Sequence, residues 1–337
     1  MPQDQIAHPT LHDHLAEPLR IGEPDVHGPL AVFPLFGPAA RLEYVSFAQG
    51  RAHGVAIKEL EGGASVNDLL VLNPTDTAVL LYEGEEVLGA QQNRTFDVSV
   101  LVGARSDLRV PVSCVEAGRW DGSRHAEAFA PAPQAAYPAL RSLKNRAARE
   151  SVAAGMGARA AQGEVWSEVA EKSARMNVAS STGAMHDIYD RRRERLAEFH
   201  GAVRLHEGQA GALVLINGRL AVLDHVSRPE VFAALHAPLV QGYALDALEA
   251  RADTPAAPGT EAAERFLQRI LDARITEHDG IGLGRDLRFA AEGVAGAGMV
   301  AGDELLQLTA FPDAGAEAAA EETPRTHIRR PSRRRAA

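Results

Sequence analysis

Residues 68–115 read DLLVLNPTDTAVLLYEGEEVLGAQQNRTFDVSVLVGARSDLRVPVSCV, and this stretch sets the fold class. Short apolar or alternating runs recur at Leu69–Val71, Ala78–Tyr82, Glu86–Leu88, Thr95–Val102 and Leu108–Ser113. Successive side chains of a strand point to opposite faces, so runs of this length bounded by turn formers read as strands. Asn73-Pro74-Thr75-Asp76 and Gly103-Ala104-Arg105-Ser106-Asp107 are loops by composition. The spacing predicts an antiparallel meander packed as a sandwich or barrel, because no helical segment is available there for parallel crossovers.

Working outward, Gly28–Phe36 reads as a strand with a Pro at its edge, Ala40–Gly50 as a short helix bringing Leu42, Val45 and Phe47 to the core, and Val55–Leu60 as a returning strand. Residues 1–27, rich in His, Pro and acids, show no period and read as a flexible arm, with structure starting at Pro29. From Tyr137 to Val203 the pattern turns helical, enough for two or three helices broken at Ala153–Gly163 and Ser180–Gly183. There the Arg191–Arg195 run reads as a solvated face opposite Leu196, Phe199 and Val203. Asn217-Gly218, between two apolar runs, supplies the two positive φ values of a hairpin turn. Helices over Pro229–Leu235, Pro238–Arg251 and Glu261–Arg274 follow, each Pro sitting where a helix start lacks a bonded N–H. Leu287–Ala290 and Glu304–Phe311 close the fold as strands.

The expectation is therefore an α+β protein: one domain over 28–312, β-rich in 28–136, helical in 137–204 and mixed in 205–312, with a disordered Ala/Glu-rich then Arg-rich tail over 313–337. The formal net charge is -10, and the tail's six arginines against four acids leave the rest of the chain at -12. Such a body repels a phosphate backbone at long range, which argues against nucleic acid as its partner. One cysteine, Cys114, cannot form an intramolecular disulfide, no secretory signal pattern opens the chain, and no apolar run approaches a membrane span. A reducing cytoplasm is the compartment expected.

The densest polar accumulation lies inside the β region, between Tyr82 and Trp120. Glu83-Gly84-Glu85-Glu86 is followed by Gly89-Ala90-Gln91-Gln92-Asn93-Arg94, then by Cys114-Val115-Glu116-Ala117-Gly118-Arg119-Trp120. Burying these groups without partners is costly, so they require a network or a ligand. For a ligand, Arg94 and Arg119 offer forks to anionic groups, Gln92 and Asn93 read amides or hydroxyls, Gly89 allows close approach, and Trp120 stacks. Glu85 and Glu116 are the candidate proton carriers. Cys114, near Arg119 and His125, is a weaker candidate nucleophile. The plainer reading makes the polar residues caps of a bulged hairpin, Cys114 a small buried hydrophobe and Trp120 a core plug.

Weaker patterns carry little. His12-Asp13-His14 has no second ligand motif, so no metal is assigned, and no cofactor either. Gly280-Ile-Gly-Leu-Gly284 follows a predicted helix and precedes a strand, the reverse of a dinucleotide fingerprint, and reads as a connecting turn. Neither GxxxxGK[ST] nor GxSxG occurs.

The runs GEEVLGAQQNRTFDVSVLV and RVPVSCVEAGRW, with PLAVFPLF, LVLINGRLAVLD and VQGYALDA, resemble the ARG and Rhodanese-Phosphatase-superfamily-associated Protein family, named for its association with ADP-ribosylglycohydrolases. The resemblance spans about Ile21 through Phe311 and falls on Glu85, Gly89, Gln92, Asn93, Arg94, Cys114, Glu116, Gly118, Arg119 and Trp120. It implies a place in NAD or ADP-ribose metabolism by association and transfers no catalytic residue. Two functions stay open. In one the protein recognises or processes an ADP-ribose- or nucleotide-derived small molecule. In the other it is a non-catalytic accessory module whose polar cluster is structural and whose helices meet a protein partner.

Overall fold

In the computed structural model, which describes residues 9–63, 65–250 and 259–313, the meander forms, but it is shared between two sheets. Six strands run in the order Ala130–Ala135, Glu85–Leu88, Arg94–Phe96, Ser106–Cys114, Asp68–Asn73, Ala56–Lys58. Three more run Val100–Val102, Ala78–Leu81, Tyr44–Ser46. Along the meander the chain crosses between these sheets four times, and the two crossings at the corner are Tyr82–Gly84 and Asp97–Ser99. These two are bonded to each other, with the Gly84 amide donating to Phe96 O at 3.0 Å and the Glu83 amide to Ser99 Oγ at 3.0 Å. The single strand expected over Thr95–Val102 is thus two. Asp97 breaks it, because its carboxylate accepts from Ser113 Oγ at 2.6 Å and from the Ala160 amide at 3.1 Å.

A nine-stranded antiparallel sheet forms the rest of the β structure. Its centre places Leu30–Phe36 beside Gly211–Ile216, then Arg219–Val226, Glu304–Phe311, Val294–Ala301, Arg285–Ala291 and Ile275–Asp279. The Asn217-Gly218 turn has φ of 50° and 71°, as the hairpin required. The β-rich first part and mixed last part are therefore not separate blocks, since Leu30–Phe36 belongs to the last part's sheet.

Several expectations are corrected. Residues 9–27 are not a loose arm: a 3₁₀ turn at Leu11–His14 buries Leu11, and Arg20–Ile21 and Asp25–His27 both pair with Leu30–Phe36. The helix expected over Ala40–Gly50 is a strand, Tyr44–Ser46, followed by a helix at Phe47–Arg51. Ser46 and Gln49 form the capping box that fixes this start. Tyr44–Ser46 pairs in parallel with Ala78–Leu81, the one parallel ladder among the described residues. The helical stretch holds four helices, Pro138–Ala153, Gln162–Arg175, Met185–Arg191 and Arg193–Ala202.

Pro229–Glu249 is one helix with Pro238 inside it, where two were expected. Ten buried side chains on almost every face hold it together across the missing hydrogen bond. By length and composition this helix is apolar enough to cross a membrane, yet it is packed against the sheets as a core helix. Strands Ile275–Asp279 and Val294–Ala301 were not foreseen, so the Gly280–Gly284 turn follows a strand. The tail expected over 313–337 lies, from 314 on, outside the described residues.

Helix Pro138–Ala153 covers the corner between the two smaller sheets with an unusual stripe. Arg141, Lys144, Asn145 and Ala148, at helical spacing, are its buried face. Arg141 donates to Asp224 through Nη1 at 2.9 Å and Nη2 at 2.5 Å, and to Glu83 Oε1 through Nε at 3.0 Å and Nη2 at 2.5 Å. Tyr82 Oη, at 2.6 Å, and Tyr243 Oη, at 2.5 Å, complete the Asp224 shell. Lys144 Nζ donates to Phe96 O at 2.6 Å and Thr95 Oγ1 at 3.2 Å. Burial lowers the Lys144 pKa. Burial works against the Arg141 charge too, but Asp224 and Glu83 outweigh it and hold its pKa well above the ordinary value. Gly84 makes room: its φ is +82°, and a Cβ there would lie 2.7 Å from Arg141 Cδ.

Removing one partner of a buried ion pair leaves an uncompensated charge, a cost of roughly 3–5 kcal/mol. Arg141→Met is expected to lower the free energy of urea unfolding by that order, and adding Asp224→Asn to recover part of it. A single-variant loss below about 1 kcal/mol would contradict this account of the corner.

Candidate functional site

Strand pairing puts Cys114 opposite Arg94 and Arg94 opposite Val87, so the two halves of the Tyr82–Trp120 stretch do meet. Arg94 is the centre. Its side chain is fully buried, Nη1 donates to Gln92 Oε1 at 3.0 Å, and Nη2 lies 3.8 Å from Glu59 Oε1, also fully buried. Arg94 Nε and Nη2, Glu59 Oε2 and Gln91 Oε1 have no hydrogen-bond partner among the described residues. Burial lowers the Arg94 pKa and raises that of Glu59, with Arg94 only partly offsetting the second. The indole of Trp120, half exposed, has its ring centroid 5.8 Å from the Arg94 guanidinium carbon.

Around this centre the polar groups are largely spent on one another. Glu116 accepts from the Asn93 amide at 3.1 Å and Thr182 Oγ1 at 2.9 Å, and pairs with Arg119 Nη2 at 2.6 Å. Burial favours its neutral form, but these donors, Arg119 foremost, prevail and lower its pKa. It is thus a fixed acceptor at neutral pH and poorly suited to carry a proton. Arg119 also donates to Ala90 O at 2.7 Å and Asn93 Oδ1 at 3.0 Å. Gln92 Nε2 donates to Glu116 O at 3.0 Å. Ala90, at φ 41°, holds the turn that aims its carbonyl at Arg119.

Cys114 is buried, its backbone clasped on both sides by the Gln162 amide at 2.8 and 2.9 Å, and burial raises its thiol pKa. That is the behaviour of a structural thiol. Gly89, at φ +126°, faces the Ala128–Phe129 backbone, so its freedom serves a turn.

Glu85 is not part of the cluster. It closes the Tyr82–Glu85 turn by accepting from the Tyr82 amide at 2.7 Å, and burial pushes its pKa up to about 7. Its neighbour Glu86, on the opposite face of the strand, is pushed up to about 8 by burial. Glu86 Oε2 accepts from Gln134 Nε2 at 2.7 Å, itself 2.8 Å from His186 Nδ1, and Oε1 has no partner among the described residues.

Sequence reasoning missed Glu59, whose carboxylate accepts from the Gln91 backbone amide at 3.4 Å, Gln162 and Thr182, and it set His125 beside Cys114, whereas its Nδ1 lies 3.0 Å from Gln91 Nε2. Glu59 ends an apolar strand pattern and carried no motif; only the topology brings it under Arg94. Among the described residues no group of three or more His, Cys, Asp or Glu is arranged for a metal ion.

The sequence profile of the ARG and Rhodanese-Phosphatase-superfamily-associated Protein domain matches residues 18–311. The chain belongs to that family. The family domain includes every strand of the three sheets and every residue of the Arg94 cluster. Comparison with curated proteins and with solved structures gave no match.

Glu86 gives the site region a pH signature. A carboxyl whose folded pKa stands above its unfolded value contributes stability fully present below the unfolded pKa and lost as pH rises through the folded one. Stability should therefore fall between about pH 4.5 and about pH 8 from this group. Glu86→Gln should flatten that decline and gain ~2 kcal/mol over the parent at pH 9. Urea midpoints at pH 5 and pH 9 measure it, and equal declines in both proteins would refute the assignment.

Proposed function

We propose that the protein recognises an ADP-ribose- or nucleotide-derived small molecule through the Arg94 cluster. The observation behind this reading is the pair of buried Arg94 nitrogens that make no hydrogen bond among the described residues, one of them 3.8 Å from Glu59 Oε1, beside a half-exposed tryptophan. A guanidinium edge left unmade inside a protein is costly, and a phosphate or carboxylate matches its two donors bidentately. Trp120 supplies the π-face on which a base stacks. Membership of a family associated by name with the ARG and rhodanese-phosphatase superfamilies supports the same ligand class. Glu116 and Cys114 are occupied elsewhere, so recognition fits the cluster better than processing.

The second reading, an accessory module, draws on those same internal bonds of Glu116 and Arg119, which make much of the cluster self-sufficient. In that case the exposed helical surfaces near Trp166 meet a protein partner.

Titration of the full chain with ADP-ribose, NAD and an ADP-ribosylated peptide, followed by calorimetry and tryptophan fluorescence, separates the two. Saturable binding is expected, weakened at least about tenfold by Arg94→Lys and by Trp120→Ala, equivalent to about 1.4 kcal/mol. Absence of binding by folded protein, with Arg94→Lys costing stability alone, overturns recognition in favour of the module.

A further inference from the structure

A second set of buried polar groups opens to a cleft on the other face of the same corner. A cavity of about 250 Å³ lies between the end of helix Pro138–Ala153 and the Gly280–Gly284 turn, walled by Val98, Val100, Val152, Ile281, Leu283 and Met299. Gly282 is required there by close approach, since a Cβ would sit 2.1 Å from Leu101 O. Val98, Ser99 and Asp286 line this cavity and also a smaller inner one of about 10 Å³. The inner hollow reaches Glu83, Asp97, Asn145, Arg288 and Gln307, the edge of the Arg141–Lys144 corner. About 10–15 Å³ holds one oxygen-sized group.

Arg288 makes this hollow more than a packing defect. Its side chain is only 3% exposed, its Nε donates to Asp286 Oδ2 at 2.7 Å, and its Nη2 has no hydrogen-bond partner among the described residues. A buried, charged donor with no hydrogen-bond partner among the described residues, on a side chain that lines a hollow of one-atom width, calls for an acceptor oxygen. The rest of the lining restricts what carries that oxygen. Glu83, Asp97 and Asp286 are matched by Arg141, Lys144 and Arg288, so the hollow carries no spare charge and burying a further net charge there is costly. Asp286 accepts from Arg288 Nε and keeps lone pairs to accept a second N–H. The outer walls are aliphatic and suit hydrocarbon.

We propose that this cleft is a binding site for an uncharged small molecule bearing a carbonyl next to an N–H, such as an amide, a lactam or a nucleobase edge. Its carbonyl oxygen accepts from Arg288 Nη2, its N–H donates to Asp286, and its apolar body occupies the outer cavity. This site is separate from the Arg94 cluster, shares none of its residues and does not depend on the function proposed for it.

The test uses the full chain and four probes, δ-valerolactam, caprolactam, uracil and hypoxanthine, against acetate, inorganic phosphate and cyclohexylamine, read by ligand-observed NMR and calorimetry. At least one lactam or base is expected to bind saturably, with the charged compounds at least tenfold weaker. Arg288→Gln should weaken binding at least tenfold. Val152→Trp, which fills the outer cavity from the helix end without touching the polar floor, should block it, and keeps the test valid where Arg288→Gln fails to fold. No saturable binding by any neutral probe, stronger binding of acetate or phosphate, or indifference to Val152→Trp each overturns the proposal.

Discussion

The carboxylate of Asp224 holds more of this structure in place than any other single group. It lies on strand Arg219–Val226 of the large sheet, with no exposed side-chain surface, and is met by Arg141 from a helix, Tyr82 from a sheet crossing and Tyr243 from the long core helix. An ion buried this deeply is tolerable only with its lone pairs satisfied. Each of those elements is therefore constrained to one position relative to the large sheet, and the crossing at Tyr82–Gly84 is where the chain re-enters the six-stranded sheet. The positive φ at Gly84 and the short contact it permits to Arg141 belong to the same constraint.

Much of the fold was legible because its elements follow local rules. The Asn217-Gly218 hairpin, the strand runs of the meander and the breaks between helices all follow from turn chemistry and periodicity. Failures came where tertiary packing overrides a local signal. Pro238 marks a helix start in sequence and sits mid-helix in space, because burial around it outweighs the lost bond. Val294–Ala301, VAGAGMVA, has too little bulk to read as a strand, yet its small residues let Phe289 and the Thr309 backbone approach Gly296. Arg141 and Lys144 occupy the inward stripe of an apparently solvated helix, and charge at those positions hid the face that is buried.

The candidate site was half legible for a similar reason. Gln92, Asn93, Arg94, Glu116, Arg119 and Trp120 converge as their polar density within a β region implied. Glu85 does not, because strand alternation and the turn it closes divert it. Density in sequence signals that buried polar groups need partners; it does not say which of them will satisfy each other. That distinction appears only in space, where Arg141 and Glu116 are engaged on several sides while Arg94 and Arg288 retain donors that make no hydrogen bond among the described residues.

The pairing of Leu30–Phe36 with Gly211–Ile216 has a consequence for how the molecule comes into being. A strand near the beginning of the chain waits for its central neighbour until synthesis has passed residue 216, and that neighbour's own hairpin partner then waits for Glu304–Phe311. Vectorial translation thus leaves LAVFPLF paired only with the preceding Arg20–Ile21 and Asp25–His27, its other edge open until Gly211–Ile216 has been made. Long-range closure of this kind is slow and exposes sheet edges to misassembly, so production of the intact chain should depend strongly on chaperones and temperature. It also means that truncation at an apparent boundary between the β-rich and mixed parts strips the large sheet of Leu30–Phe36 and the two short strands beside it.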